Sequence, residues 1–196
     1  MPNYNKMISD TSIRLGLVRF GYVHVFQPHA VEETDSPKYS VQIMIPKTDD
    51  VAVKMIESAV QAAKEVGKTS KWGGKIPPDA KLKLPLRDGD AEYPDDKDYK
   101  GMWFMNASSS EKRKPEVKIL SEGMLQDALD DGKDFYSGCW GCVSVNLFPF
   151  EGKSNGVAVG LNNVIKMKDD EHLGGGGRSA EEDFDDLVGG GASWAD

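Results

Sequence analysis

The chain has 196 residues, 24 Lys and Arg against 32 Asp and Glu, a formal net charge of −8 and two cysteines. Cys139 and Cys142 are too few for a disulfide scaffold and fit a reducing compartment. There is no apolar run of about 18 residues to span a membrane, and Met1–Asp10 lacks the basic and apolar regions of a secretory signal, so no membrane partner and a cytoplasmic location are expected.

The charge is unevenly placed. Residues 169–196 hold nine acidic side chains and the single Arg178, which leaves 23 basic and 23 acidic residues in 1–168. Residues 1–168 suit one domain with a single core. Residues 169–196 read as a flexible acidic tail, punctuated by Gly174–Gly177 and Gly189–Gly191 and too poor in apolar groups to fold alone. A locally basic body with an acidic tail points to a nucleic-acid partner, since such a tail can occupy a cationic groove when it is empty.

Ser12–Phe26 reads as a long strand, with Ile13, Leu15, Leu17, Val23 and Val25 on one parity and Arg14, Val18, Phe20, Tyr22, His24 and Phe26 on the other. Gly16 and Gly21 predict bends or bulges in it, as a small barrel needs. Lys38–Pro46 alternates cleanly, with Tyr39, Val41, Ile43 and Ile45 toward the core. A helix follows, with Thr48 as its expected N-cap and Gly67 as its close. Its expected buried stripe is Val51, Met55, Ala59, Ala63 and Val66, joined by Ile56 and Val60.

Residues 64–87 then carry seven basic groups against Glu65 and Asp79 in a Gly- and Pro-rich loop. After the acidic turn Asp88–Asp98 come a short apolar strand, Gly101–Ala107, and a second basic cluster, Lys112, Arg113 and Lys114. Val117–Leu120 predicts a strand and Met124–Leu129 a short helix. The strands Gly138–Phe150 and Gly156–Lys168 flank a turn at Glu151–Asn155. The fold class expected is mainly β with helical additions, an OB-fold-like antiparallel barrel followed by a disordered acidic C-terminal tail.

Single strands are bound by grooves that combine backbone cations with rings on which bases stack. Lys71, Trp72 and Lys75 place a ring between two cations on a glycine-containing loop, with Lys81 and Lys83 beyond them. Trp140, Phe148 and Phe150 share a strand face with Ser144 and Asn146, a mixture suited to a wet stacking platform. Both core and ligand-contact roles are open for these rings, whereas Trp103 and Phe104, in an apolar run, read as core. The candidate DNA-binding set is therefore Lys71, Trp72, Lys75, Lys81, Lys83, Lys112, Arg113, Lys114, Trp140 and Phe148.

Cys139 and Cys142 form C-x-x-C and His24 and His29 form H-x4-H, but ligands three apart on a strand face opposite ways, and structural thiols are the expected reading. Asp88, Asp90 and Glu92 start like a calcium loop, yet Tyr93 stands where that loop needs glycine. No nucleophile constellation, P-loop or H-E-x-x-H is visible, so neither catalysis, cofactor nor metal is expected.

Four stretches carry a family resemblance: Lys38–Lys47, Trp103–Ser108, Phe135–Asn146 and Gly160–Val164. Together with Gly174–Phe184 they resemble phage-encoded single-stranded DNA-binding proteins, a group once classed as a domain of unknown function, and the resemblance covers nearly the whole chain. It implies an OB-fold protein of phage DNA replication, recombination or repair, in the host cytoplasm, with no catalytic or metal residues to carry over. One departure concerns the tail. The best-known acidic tails of such proteins finish on an aromatic tip, whereas here Trp194 is followed by Ala195 and Asp196, and Phe184 beside Asp185 and Asp186 is a second candidate anchor.

The reading is then sequence-independent single-stranded DNA binding, with a tail (Phe184, Asp185, Asp186 and Trp194) that competes for the groove and recruits phage or host replication and recombination proteins. Duplex DNA is open as a second ligand, because cationic loops recognise phosphates on either form. The alternative is a non-catalytic phage structural or adaptor protein that works through its tail. Oligomeric state is not legible in the sequence.

Overall fold

The computed structural model describes residues 4–30, 32 and 35–174. In chain order the elements are β1 (Lys6–Met7), β2 (Ser12–His29), β3 (Lys38–Pro46), α1 (Asp50–Ser70), β4 (Leu82–Lys83), β5 (Arg87–Asp88), α2 (Gly89–Glu92), β6 (Met102–Ser110), β7 (Glu116–Ser121), β8 (Met124–Asp127), β9 (Trp140–Phe150) and β10 (Asn155–Lys168). The strands hydrogen-bond in the order β5-β6-β3-β2-β9-β10-β7-β8. A parallel bridge from Gly160 of β10 to Ser108 of β6 closes β6-β3-β2-β9-β10 into a five-strand barrel, otherwise antiparallel. This is the mainly β, OB-like architecture that the strand pattern predicts.

β2 curls between its neighbours because its pairing slips, twice before His24 and again between His24 and His29. The register shifts between Gly16 and Val18 against β9, and between Gly21 and His24 against β3. Leu17 and Tyr22 sit at these bulges with φ of 54° and 46°, a left-handed conformation that costs a non-glycine residue about 1–3 kcal/mol. Each extra residue reverses which parity faces inward. The core side is therefore Ile13 and Leu15, then Val18 and Phe20, then Val25. The single parity expected along this strand is corrected by the bulges, which its glycines do announce.

α1 is capped by Asp49, whose carboxylate accepts from the Ala52 N–H, and not by Thr48. Gly67 does not end it; the helix runs to Ser70. The glycine answers close packing instead, since a Cβ there would lie 2.7 Å from the Trp72 ring and 2.8 Å from Pro149. The buried stripe is Ala52, Ile56, Ala59, Val60, Ala63, Lys64 and Gly67, and Val51 and Val66 are exposed. Of the expected stripe, Ile56, Ala59, Val60 and Ala63 are buried and Met55 packs partly buried on the core, whereas its two ends, Val51 and Val66, turn outward and Ala52, Lys64 and Gly67 turn in. Met124–Asp127 is a strand where a short helix is expected. Glu122 and Gly123, with φ of 50° and 77°, form a two-residue hairpin turn that pairs it back on β7.

A second, smaller apolar cluster lies outside the barrel. Met44, Tyr99, Met102 and Phe104 form it, and Trp140 and Leu173 pack against it.

Candidate nucleic-acid interface

The outward side chains of β3, Ser40, Gln42 and Met44, floor a trough on the outer face of β2, β3 and β6. Its first hollow, about 260 Å³, is lined by Gly21, Tyr22, Gln42, Met44, Tyr99 and Leu173 among others. The central hollow, about 480 Å³, has Tyr22, His24, His29, Ser40, Gln42, Arg87, Tyr93 and Asn106 in its walls. The third, about 400 Å³, is formed by His29, Asp35, Ser36, Lys38, Ser40 and Ser108. Tyr22 and Gln42 line both the first and the second, while His29 and Ser40 line both the second and the third, so the hollows adjoin in a row. From Lys38 to Met44 the floor runs about 20 Å at strand rise.

Rings face this trough. Tyr22, thrust outward by its bulge, is 67 % exposed. Tyr93 lies tilted by 31° against Tyr99 at 4.3 Å, and Tyr99 meets Phe104 edge-on at 5.3 Å. The buried Tyr99 hydroxyl donates to Gln42 Oε1 at 2.7 Å. Burial pushes the Tyr99 phenol up to about 12, so it remains a neutral donor at ordinary pH.

Charge grades along the trough. At the Tyr99 end the cations are matched: Arg19 faces Asp98 at 3.7 Å, and Lys47 reaches Asp88 at 2.5 Å and Asp90 at 2.7 Å. These bonds hold the Asp88 and Asp90 carboxyls below, and the Lys47 ammonium above, their ordinary values. Arg87 lies over Phe104 and donates Nε to Glu92 at 2.8 Å. The other end is basic. Lys38 pairs across to Ser110, where a turn to Arg113 carries Lys112, Arg113 and Lys114. Among the described residues, Lys38, Lys112 and Lys114 form no salt bridge.

The start of the acidic segment is fastened at the matched end. Trp140 Nε1 donates to Asp170 at 2.7 Å, Lys166 Nζ to Asp169 at 2.8 Å, and Arg19 to the Glu171 carbonyl at 3.0 Å. The Tyr136 hydroxyl donates to Asp169, and its ring stacks on His172 at 4.1 Å. Leu173 donates its N–H to the Ser137 carbonyl and packs on the outer apolar cluster, and Gly174 reaches the wall of the first hollow.

The residues singled out from sequence are dispersed. Lys71, Lys75, Lys81 and Lys83 are exposed, but β4 pairs with Asn155 and Gly156, which puts their loop beside the β9–β10 hairpin and outside the trough walls. Trp72 is only 9 % exposed, and its indole N–H goes to the Phe150 carbonyl. Its ring anchors that loop and has no open face for a base. Trp140 packs against the outer apolar cluster, whereas Phe148, 43 % exposed, lies about 26 Å further along the same strand, so the two do not share one platform. Lys112 and Lys114 stand near the basic end, and Arg113 donates to Asn162 Oδ1 at 2.8 Å. Phe184, Asp185, Asp186 and Trp194 lie outside the described residues.

Tyr22, Tyr93, His24, His29, Arg87 and Gln42 are trough groups that the sequence pattern alone does not select. Tyr22 and His24 carry a signal, since they occupy one parity just after Gly21. Tyr93, in an acidic turn, carries none. Both thiols are buried, burial raising the Cys142 thiol and pushing Cys139 up to about 11, and Cys142 Sγ contacts Met167 Sδ at 3.3 Å. Among the described residues no group of three or more His, Cys, Asp and Glu is placed to hold a metal ion.

Three comparisons bear on this geometry. A family model described as the ssDNA-binding protein of Enterobacter phage Enc34 matches residues 11–191. The structure of the bacteriophage Enc34 single-stranded DNA-binding protein in complex with ssDNA superposes with a TM-score of 0.70 at 28% identity, over 86% of this chain and 96% of that one. Its C-terminal truncation gives 0.71 at 28% identity, over 88% and 95%. A putative protein p50 of Acyrthosiphon pisum secondary endosymbiont phage 1 is 29% identical over 89% of this chain and 93% of its own length. The single-stranded DNA binding protein gp2.5 of bacteriophage T7 shares the fold, with a TM-score of 0.55 at 18% identity, over 98% of this chain and all of its own.

Proposed function

The chain belongs to the phage single-stranded DNA-binding family of Enterobacter phage Enc34, and we propose that it binds single-stranded DNA without sequence preference in the trough floored by Ser40, Gln42 and Met44. One observation carries the placement: exposed Tyr22 and Tyr93 and the Lys38 end, with Lys112 and Lys114 beyond it, lie along one row of adjoining hollows. Rings of this kind stack on any base, and cations track the backbone, so affinity needs no base-edge readout. The work of such a protein is to shield unpaired strands during phage replication, recombination or repair in the host cytoplasm.

The acidic tail is the regulator in this reading. Its first residues are fastened at the Tyr99 end of the trough, and Gly174 already lines the first hollow, so the rest of the acidic stretch is launched at the place where a strand would enter. The tail competes with DNA for this channel and, when displaced, recruits replication and recombination proteins. A gel-shift comparison of single-stranded and duplex oligonucleotides, with the full chain and with a chain ending at Lys168, tests the proposal. Retention of single strands at low salt, strengthened by truncation, is expected; no retention of either chain refutes it.

A further inference from the structure

Between His24 and His29, β2 spends five residues where β3 spends two, from Ser40 to Lys38. The surplus arches out and returns both imidazoles to one side, where they stack at 4.4 Å with an interplanar angle of 12°. They line the central hollow, and His29 lines the third as well. Among the described residues neither ring has a hydrogen-bond or ion-pair partner, so their nitrogens are left to whatever occupies the trough.

Among the described residues, the charged and titratable groups that line these hollows are few. β3 supplies Lys38 beside neutral Ser40 and Gln42, β5 supplies Arg87 in its pair with Glu92, and Tyr93 follows α2. The connection before β3 supplies Asp35, β2 itself adds Tyr22, and β6 gives only neutral Asn106 and Ser108. Among the described residues at these hollows Lys38 and Arg87 are thus accompanied by Asp35 and Glu92, and the unpaired Lys112 and Lys114 that make this end basic lie further out, past Ser110. Burial, and then the neighbouring His29, lower the His24 value in the empty trough.

We propose that His24 and His29, with Lys38, form a phosphodiester subsite that takes up a proton when it binds the DNA backbone. A neutral imidazole presents an acceptor nitrogen as well as a donor, and the acceptor repels a phosphate oxygen. Protonation converts that acceptor into a second donor and adds a positive charge. A phosphate therefore supplies what burial and the stacked neighbour withhold. The inference rests on the single-strand reading of the trough and adds to it a pH dependence.

The test uses the full chain and fluorescein-labelled oligo(dT), whose bases do not titrate between about pH 5.5 and 8, at fixed ionic strength. Affinity is expected to rise about tenfold from the upper to the lower pH, since uptake of one proton allows up to about that factor per unit. His29→Gln should abolish most of the rise, and His24→Gln/His29→Gln should abolish all of it. His172→Gln should keep it. NMR of the imidazole resonances should show the pair titrating at higher pH once oligo(dT) is added. The exposed His29→Gln decides the matter even where the double variant fails to fold. Parent affinity that is flat with pH, or a rise that survives loss of both imidazoles, overturns the subsite alone. Absence of binding at every pH overturns the single-strand reading with it.

Discussion

The indole N–H of Trp140 donates to the Asp170 carboxylate at 2.7 Å, tying the root of the acidic segment to a ring that packs on the outer apolar cluster. Trp140 is thereby a tail-holding side chain, and any base that stacks on it meets Asp170 first. Arg19 and Ser137 hold Glu171 and Leu173, so the first residues of the acidic segment are fixed to the body.

Truncation should separate the root from the remainder of the tail. A short flexible linker holds a tail at an effective concentration of about 1 mM, so a tail that binds the trough with a dissociation constant near 0.1 mM lowers DNA affinity roughly tenfold. A chain ending at Gly174 is expected to recover most of that factor, and one ending at Lys168 all of it. Fluorescence titration with oligo(dT) at matched salt reads both; unchanged or weaker affinity in the shorter chains would exclude autoinhibition.

Substitutions of one tyrosine and one tryptophan should behave in opposite ways. Tyr22→Ala is expected to cost about 1–3 kcal/mol in oligo(dT) binding with little change in melting temperature, because the ring is largely exposed. Trp72→Ala should leave the affinity of folded protein unchanged and cost about 3–5 kcal/mol of stability, since the ring is buried and hydrogen-bonded. Calorimetric melting alongside binding distinguishes the two; the reverse pattern would move the interface to the 71–75 loop.

The ionic share of binding is readable from salt. With roughly four to six phosphates neutralised, log affinity for single strands should fall with log salt at a slope of about −3 to −4. Lys112→Ala or Lys114→Ala should each reduce that slope by about 0.7 if those side chains meet the backbone. A slope untouched by both would confine the phosphate contacts to the trough itself.

Acid should loosen the matched end of the trough. Lys47 depresses Asp88 and Asp90, Lys166 depresses Asp169, and the Trp140 N–H depresses Asp170. A carboxyl with a lowered folded-state value contributes stability that is complete above its unfolded value and is lost as pH falls through the folded one. The melting temperature should therefore be insensitive to these groups from about pH 5 upward and fall below about pH 4. Asp88→Asn/Asp90→Asn should shrink that acid-limb loss, and a loss of the same size in this variant would assign it to other carboxylates.

The strands of a small curled barrel were legible because alternation along Lys38–Pro46, Trp140–Phe150 and Asn155–Lys168 is a local property, and because the glycines of β2 mark where the chain must bend. The acidic tail and the family resemblance were legible for the same reason, being written in consecutive residues. The inward faces of β3 (Val41, Ile43, Ile45) and β9 (Val143, Val145, Leu147) were legible too, and what escaped were the faces of β2 and the setting of Trp72. Two bulges reverse the parity of β2, so Tyr22 and His24 reach the trough while Phe20 enters the core. Trp72, which looked like a clamp between two lysines, is drawn inward by Gly67 and the Phe150 carbonyl, partners that lie five residues before it and far along the chain after it. Composition and period decide that a barrel forms and that its tail is anionic; closure of the barrel, through pairings between distant strands, decides which rings stay outside to meet a ligand.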